Sequence, residues 1–247
     1  NMAKKRISDV LIEVLANAGI ERIYGITGDS LNSVNDSLRR NGKIAFEHVR
    51  HEETAAFAAG AEASLTHKLT VCAGSSGPGN LHLINGLFDC HRNRVPVLAI
   101  ASHIPQSEVG LNYFQETHPE NLFKECSCFC ELVSNPKQMP EILFRAMNAA
   151  VGNQDVAVIV LPGDVAVMEM EIDELPVWTQ PRLPHIVPQR EDIEEMAAHL
   201  ETGKRITLFC GAGCEGAHDE VVELAKRLQA PVVHAFRGKE WVEWDNP

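Results

Sequence analysis

Glu52 is the acidic residue whose place in the sequence points most clearly to chemistry. It follows a β-prone run, residues 44–49, and opens a segment built of Ala and Gly around one Phe, so we predict that it lies in the first turn of a helix. The positive end of a helix dipole stabilises a carboxylate at that position, and for an arbitrary sequence this structural role would be sufficient. For the carboxyl to share a proton with a neutral ligand instead, burial would have to outweigh the dipole.

Two glycine-rich turns are predicted between a strand and a helix. Residues 74–80 contain two Ser, three Gly and a Pro, a composition that exposes backbone N–H groups and admits a ligand closely. A plain strand-to-helix loop explains them equally well. Residues 211–216 fit G-x-G-x-x-G in the strand–turn–helix context that would admit a pyrophosphate. Because the next strand leads to Arg237-Gly238-Lys239 and not to an acidic residue, this turn departs from the NAD fingerprint and suits a flavin dinucleotide or a phosphate.

Cysteine and histidine spacing gives weaker signals. Cys126, Cys128 and Cys130 are predicted to lie on one face of a strand, unlike the C-x₂-C knuckles of structural zinc sites, so a buried strand face is favoured over a metal site. No H-E-x-x-H pair and no G-x-S-x-G are present, so a hydrolase is unsupported and no metal ligand is assigned. Five His are placed near predicted loop or helix ends: His51, His82, His91, His103 and His118.

The elements that must position these residues alternate between strand and helix. Most strands are apolar on both faces, which is typical of a parallel sheet covered by helices on both sides. We therefore predict an α/β fold with a three-layer parallel sheet, followed by the start of a second Rossmann-like α/β domain. Ser8 is the predicted cap of the first helix, and Gly19 its end. The predicted domains are residues 2–168 and, after a proline-rich linker at 169–189, part of a second domain at 190–247.

Composition restricts the classes of partner. The 247 residues are 45% hydrophobic and 23% charged, as in ordinary globular proteins, and the net charge of −12 argues against nucleic acid or an anionic membrane surface. Seven Cys in apolar stretches suit a reduced, cytoplasmic chain. Asn1 before Met2 is interpreted as an expression remnant and left out. The sequence stops soon after a strand-like run, so we expect a fragment of a longer protein.

Several motifs together resemble the thiamine-diphosphate enzymes. The likeness runs from about Ile7 to the last residue with order and spacing kept. Within these enzymes, Tyr113-Phe114-Gln115-Glu116-Thr117-His118-Pro119 looks like pyruvate oxidase and quinone-linked pyruvate dehydrogenase. The resemblance covers the pyrimidine-binding domain and the opening part of the central, flavin-binding domain. The other motifs are Arg50-His51-Glu52-Glu53, Gly60-Ala61-Glu62-Ala63, residues 74–80, Asn85-Gly86-Leu87-Phe88-Asp89 and Pro96-Val97-Leu98-Ala99-Ile100.

The resemblance implies roles for individual residues. Glu52 would hydrogen-bond N1′ of the cofactor's aminopyrimidine, and proton sharing there favours the tautomer that activates the thiazolium ring. Phe114 and Gln115 would stand near the reacting carbon. The remaining implied residues line the pyrimidine and thiazolium region (Gly28, Asp29, Ser30, Ser76, Gly77, Pro78 and Gly79) or approach the flavin (Gly211, Gly213, His234, Arg237 and Lys239).

The implied activity is oxidative decarboxylation of pyruvate to acetate and CO₂, with thiamine diphosphate, FAD and Mg²⁺ as cofactors and a quinone as electron acceptor. A non-oxidative relative, such as an acetolactate synthase or a 2-keto acid decarboxylase, and a non-catalytic dinucleotide-binding module are the alternatives.

The resemblance also sets expectations for the missing parts. The family's Gly-Asp-Gly…Asn motif for Mg²⁺ and diphosphate has no match here and is expected in a third domain, so the chain alone should be inactive. We expect a homodimer or homotetramer that associates through the small-residue face of the Glu52 helix. A cytoplasmic location is expected, with peripheral attachment to the inner membrane depending on the missing C-terminal region.

Overall fold

A computed structural model describes residues 3–245, so the predicted expression remnant Asn1 lies outside the described part. The chain divides into two compact units between Leu183 and Pro184. The strands of the first unit are β1 (Ala3–Arg6), β2 (Arg22–Gly25), β3 (Ala45–His48), β4 (Thr70–Gly74), β5 (Val97–His103), β6 (Phe129–Leu132), β7 (Val156–Pro162) and β8 (Glu169–Ile172). Its helices are α1 (Ile7–Asn17), α2 (Asn32–Asn41), α3 (Glu52–Thr66), α4 (Pro78–Asn93), α5 (Pro119–Leu122), α6 (Met139–Asn153) and α7 (Gly163–Val167).

Six of these strands form one parallel sheet in the order β3-β2-β4-β5-β7-β6. The central strands β4, β5 and β7 are buried along their whole length. Their continuous apolar sequences therefore meet protein on both faces, as a parallel sheet requires. The predicted α/β class is confirmed.

Successive residues of the central strands enter two separate hydrophobic cores. Val71 and Leu98 pack with helices α1, α2, α6 and α7 on one face of the sheet. Cys72 and Ala99 pack with α3 and α4 on the other. Because side chains alternate across a strand, one sheet supplies both cores, and the three-layer arrangement is the predicted one.

Helices α3 and α4 approach each other unusually closely. An ideal Cβ on Gly86 would lie 2.5 Å from the Ala56 Cβ and 2.7 Å from the Glu53 carbonyl oxygen. An ideal Cβ on Gly60 would lie 2.6 Å from the Cys90 sulfur. The buried small residues of α3 thus pack against α4 of the same chain, and association of subunits through this helix stays a prediction.

A short antiparallel ladder ties the beginning of the first unit to its end. Strand β1 pairs with β8, with Ala3 opposite Ile172 and Arg6 opposite Glu169. Trp178, further along, is 5% exposed and belongs to the α1-side core. The sequence suggested only a linker from residue 169, and the structure shows a strand and a core residue there.

Ser8 does not cap the first helix. Arg6 is the residue that precedes α1, with no side-chain capping hydrogen bond. Ser8 lies inside the helix, fully buried, and accepts a 3.1 Å hydrogen bond from Ser37 of α2. The predicted cap is wrong because the hydroxyl serves helix packing instead.

The three clustered cysteines do not share one strand face. Strand β6 begins at Phe129, so Cys126 and Cys128 precede it. Cys126 is buried and Cys128 is exposed. Only Cys130 lies in the strand, which makes the prediction of three thiols on one face wrong.

The second unit is built around two parallel strands. Val232 of one pairs with Leu208 of the other. Its elements are α8 (Arg190–Thr202), β9 (Leu208–Cys210), α9 (His218–Leu228), β10 (Val232–His234) and α10 (Lys239–Val242). None of the helices between residues 3 and 245 is long and apolar enough to cross a bilayer.

Candidate functional site

The turns that follow β2 and β4 meet at the carboxyl edge of the sheet, where open α/β sheets present ligands. Ser30 Oγ lies 2.9 Å from Ser75 Oγ and accepts a 2.9 Å hydrogen bond from the Ser76 N–H. An ideal Cβ on Gly28 would lie 2.3 Å from Ser75 Oγ. The two turns are therefore joined directly, and position 28 has no room for a side chain.

The loop after β5 is held against the second of these turns. Ser76 Oγ donates to Gln115 Oε1 over 3.1 Å. Gly77, with φ of +68°, has its ideal Cβ position 3.0 Å from the Gln115 carbonyl oxygen. Glu116 shapes the loop itself: the Gly110 N–H donates to its carboxylate over 2.6 Å, and this hydrogen bond holds the pKa of Glu116 below its usual range.

Glu52 lies in the first turn of α3, as predicted, and its side chain is only 10% exposed. One carboxylate oxygen, Oε1, lies 3.2 Å from the ideal Cβ position of Gly79 in the glycine turn. The other, Oε2, is 3.0 Å from His82 Nδ1 on α4. A buried carboxyl is thus presented to the same turn that holds Gln115.

Two further buried side chains at this edge carry polar atoms without a partner. Asn80 donates from Nδ2 to the Ser102 carbonyl oxygen over 2.8 Å, but its buried Oδ1 has no hydrogen bond among residues 3–245. His103, at the end of β5, is 5% exposed and its Nδ1 is likewise unpartnered; burial lowers the pKa of His103. Buried polar atoms usually find partners, so this edge has unused capacity for hydrogen bonds to a ligand.

The structure brings most of the predicted first-unit residues together. Gly28, Ser30, Ser76, Gly77, Gly79, Gln115 and Glu52 form one continuous set through the contacts above. Phe114 is 80% exposed and projects from the loop, and Asp29 and Pro78 are exposed at the starts of their helices. Their assignment to a site stays a prediction.

His82 and Asn80 are the residues that sequence reasoning missed. His82 was noted only as lying near a helix end, because nothing in the sequence shows that α4 lies across the first turn of α3. Asn80 ends the glycine turn, and its full burial is the only sign that it differs from an ordinary turn residue. In the sequence, the available signal for Asn80 was a polar residue at the end of a predicted glycine turn.

One cluster in the described part of the chain has ligand atoms close enough for a metal: those of His51, Glu52 and His82 lie within 4.8 Å of one another. Mg²⁺ prefers an octahedron of oxygen ligands, which two imidazoles and one carboxylate do not supply. The two imidazoles are also stacked, with ring centroids 4.3 Å apart and planes at 26°. Nitrogen lone pairs lie in the ring plane, so both rings cannot point at one ion without breaking the stack.

In the second unit the glycine turn lies beside the segment after β10. An ideal Cβ on Gly238 would lie 2.3 Å from the Cys210 carbonyl oxygen, so Arg237 and Lys239 flank a turn that touches the start of the glycine turn. Ideal Cβ atoms on Gly211 and Gly213 meet nothing within 4 Å. Helix α9 begins only at His218, and its first turn carries Asp219 and Glu220.

The negative charges of Asp219 and Glu220 would repel an anion bound at the N-terminus of α9. The structure therefore gives no support to the predicted pyrophosphate position against this helix. His234 ends β10 near the same turn. The flavin roles of His234, Arg237, Lys239 and the glycines stay predictions.

Two family models match the chain. The N-terminal TPP binding domain of thiamine pyrophosphate enzymes matches residues 5–122, and the central domain of the same enzymes matches residues 193–247. The chain is 59% identical over 247 residues to an uncharacterized 42.6 kDa protein of Pseudomonas amyloderamosa, covering 100% of this chain and 62% of that protein.

Two named relatives are similar at lower identity. Pyruvate oxidase of Lactiplantibacillus plantarum is 31% identical over 234 residues, which cover 93% of this chain and 38% of the relative. Acetolactate synthase of Arthrospira platensis is 32% identical over 258 residues, which cover 99% of this chain and 44% of the relative. The chain thus spans less than two thirds of each relative, and the two identities do not favour one reaction over the other.

Proposed function

Because the chain belongs to the thiamine pyrophosphate enzymes, we propose that its first unit binds the aminopyrimidine end of thiamine diphosphate through Glu52. The observation that carries this proposal is the buried carboxylate whose Oε1 lies beside Gly79 in the glycine turn. The groups present fit that end of the cofactor: one buried carboxyl, a turn of small residues beside it, and the acceptor Asn80 Oδ1, which has no partner among residues 3–245. Among residues 3–245, the group of His, Cys, Asp and Glu side chains close enough to hold a metal is His51, Glu52 and His82, which lacks the oxygen ligands that Mg²⁺ prefers.

Glu52 is proposed to hold and move one proton. Because the carboxyl is buried, it can share a proton with a neutral ring nitrogen of the bound cofactor without competition from water. Oε1 is the oxygen placed for that exchange, because Oε2 is engaged by His82. When bound, thiamine diphosphate supplies the electron sink for decarboxylation of a 2-keto acid.

Gln115 and Phe114 are proposed to act on the substrate side. The hydrogen bond from Ser76 and the close packing on Gly77 fix the backbone and the amide oxygen of Gln115. Gln115 can then orient a substrate through its remaining amide N–H groups. Phe114, with 80% of its surface exposed, can exclude water once a substrate or another domain covers it.

For the whole protein we propose oxidative decarboxylation of pyruvate to acetate and CO₂, with FAD held partly by the second unit and a quinone as acceptor. The segment Tyr113 to Pro119 supports this choice, together with the relative that is named a pyruvate oxidase. The equally similar acetolactate synthase keeps a non-oxidative reaction as the second candidate.

Self-association is proposed to cover the exposed apolar side chains around the site. Mg²⁺ is proposed to bind with the diphosphate in a part of the protein beyond this chain. A cytoplasmic or peripheral membrane location is also part of the proposal. The apolar side chains that are exposed near the site are Phe57, Leu81, Leu111 and Phe114.

Glu52→Gln in the complete protein tests the proposal. Removing the exchangeable proton should lower turnover at least a hundredfold, the scale of a lost general acid–base group, while the thermal unfolding temperature stays near that of the parent. Glu53→Gln is the matched control, because Glu53 lies in the same helical turn but is outside the contact with Gly79. Near-normal turnover of Glu52→Gln would refute the assignment.

A second measurement separates the two reactions. The flavin spectrum is recorded without oxygen, before and after adding pyruvate, thiamine diphosphate and Mg²⁺. Bleaching that needs all three additions supports oxidation. Release of CO₂ from an enzyme whose flavin stays oxidised supports the non-oxidative candidate and rejects the oxidative one.

A further inference from the structure

The Glu52 carboxylate is held from a second helix. His82 Nδ1 on α4 lies 3.0 Å from Oε2, while Oε1 remains beside the glycine turn. The side chain of His82 is 46% exposed and that of Glu52 only 10%. One oxygen of the carboxylate therefore has a protein partner, and the other is directed to the proposed cofactor region.

The imidazole of His82 is in turn held by His51. His51 caps α3, and its Nδ1 accepts a 3.2 Å hydrogen bond from the Glu53 N–H. Its ring stacks on that of His82, with centroids 4.3 Å apart. Because the cap fixes the His51 ring and the stack restricts the plane of the His82 ring, Nδ1 of His82 is aimed at the carboxylate.

On this geometry we infer that His82 is a positioning residue for Glu52: it fixes Oε2 so that Oε1 meets the pyrimidine nitrogen, and His51 fixes His82. The inference rests on the proposed function. The imidazole can serve in either direction: an Nδ1–H donates to a carboxylate oxygen, and an unprotonated Nδ1 accepts from a carboxyl O–H. The contact therefore persists when Glu52 passes its proton to the pyrimidine nitrogen: the pair loses one proton, the ring nitrogen gains it, and the imidazole changes tautomer.

A metal at the same three residues is the rival interpretation. The stacked rings argue against it, and addition of Zn²⁺ to the protein provides a direct check. Zinc binding that is abolished by both His51→Ala and His82→Leu would show that the cluster is a metal site, and would overturn the positioning role.

Three substitutions at position 82 separate a hydrogen-bonding role from a packing role. The amide of Asn can occupy the place of Nδ1, that of Gln reaches the place of Nε2, and Leu offers no hydrogen bond. We expect His82→Asn to keep thiamine diphosphate affinity within about threefold of the parent. His82→Leu and His82→Gln should each weaken it about tenfold, the usual effect of losing a hydrogen bond to a charged group. Asn85→Ala, also exposed on α4, is the control and should change nothing.

Binding is measured with the complete protein and Mg²⁺, using thiamine diphosphate and an analogue in which carbon replaces N1′. The penalty of His82→Leu should disappear with the analogue, because His82 acts only through Glu52 and N1′. Equal penalties for both ligands, or equal affinities of the Asn and Leu variants, would overturn the inference.

Failure of the proposed function gives a different result. In that case Glu52→Gln would bind both ligands as the parent does. If Glu52→Gln shows the N1′-dependent loss and His82→Leu does not, the role of Glu52 stands and only the role of His82 is rejected.

Discussion

Gly86→Ala should destabilise the first unit, because there is no space for a methyl group between α3 and α4. The added Cβ would lie 2.5 Å from the Ala56 Cβ, 2.7 Å from the Glu53 oxygen and 3.1 Å from the Phe57 nitrogen. Two of these atoms are backbone and the third is a methyl, so none can rotate away. The helices must separate or bend.

The magnitude follows from two opposing effects. Overpacking of a rigid contact costs about 3 kcal/mol at the upper end of its usual range. Replacing Gly by Ala inside a helix gains about 1 kcal/mol. We therefore expect a net loss of about 2 kcal/mol in the free energy of unfolding.

Gly152→Ala is the matched control. Gly152 lies in the last turn of α6, and its ideal Cβ meets nothing within 4 Å. With only the propensity effect acting, this variant should be about 0.5–1 kcal/mol more stable than the parent.

Urea unfolding followed by tryptophan fluorescence measures both variants. Trp178 lies in the core of the first unit and donates to Asn148 over 2.9 Å. Replacing Trp241 and Trp244 by Phe leaves Trp178 as the only tryptophan, so the signal reports the first unit. Unfolding free energies of Gly86→Ala and the parent that agree within about 0.5 kcal/mol would refute the packing argument.

Two further predictions concern charge and thiols. Hydrogen bonds from Arg6, then Arg39 and Arg40, hold the pKa of Asp36 well below its usual range. The stabilisation that the ionised carboxylate gives the folded state is therefore present above the unfolded-state pKa of about 4 and is lost as pH falls. Asp36→Asn should therefore destabilise more at pH 6 than at pH 3 in urea unfolding, and equal losses would contradict the ion-pair role. Burial raises the pKa of Cys72, which should resist iodoacetamide in the folded protein while the exposed Cys128 reacts, as mass spectrometry of labelled peptides can check. Labelling of both at equal rates would contradict the described burial. The same resistance is expected for Cys90 and Cys126, whose pKa values burial raises to about 12 and about 11.

The sequence predicted elements well where burial alone decides them. Val97–His103 and Val156–Pro162 are continuous apolar runs, and both are fully buried central strands. The first turn of α3 was equally predictable, because Glu52 follows a strand and opens an Ala-rich segment. These signals are local, so no tertiary information was needed.

Contacts between distant segments were not predictable in the same way. Strands Ala3–Arg6 and Glu169–Ile172 are short and largely charged, and they exist because each pairs with the other. Ser8 has the chemistry of a cap but faces Ser37 on another helix. The hydrogen bond between His82 and Glu52 likewise depends on how closely two glycines let α4 approach α3.

The ladder between β1 and β8 has a mechanical consequence. Ala3 is opposite Ile172, so the chain enters and leaves this antiparallel pair at the same end. A pulling force between Ala3 and Ile172 would load the hydrogen bonds one after another and unzip them. Shearing, in which all bonds resist together, would not occur. The first strand should therefore peel away at low force, up to the point where Ile7 donates to Met168, before the central sheet carries any load.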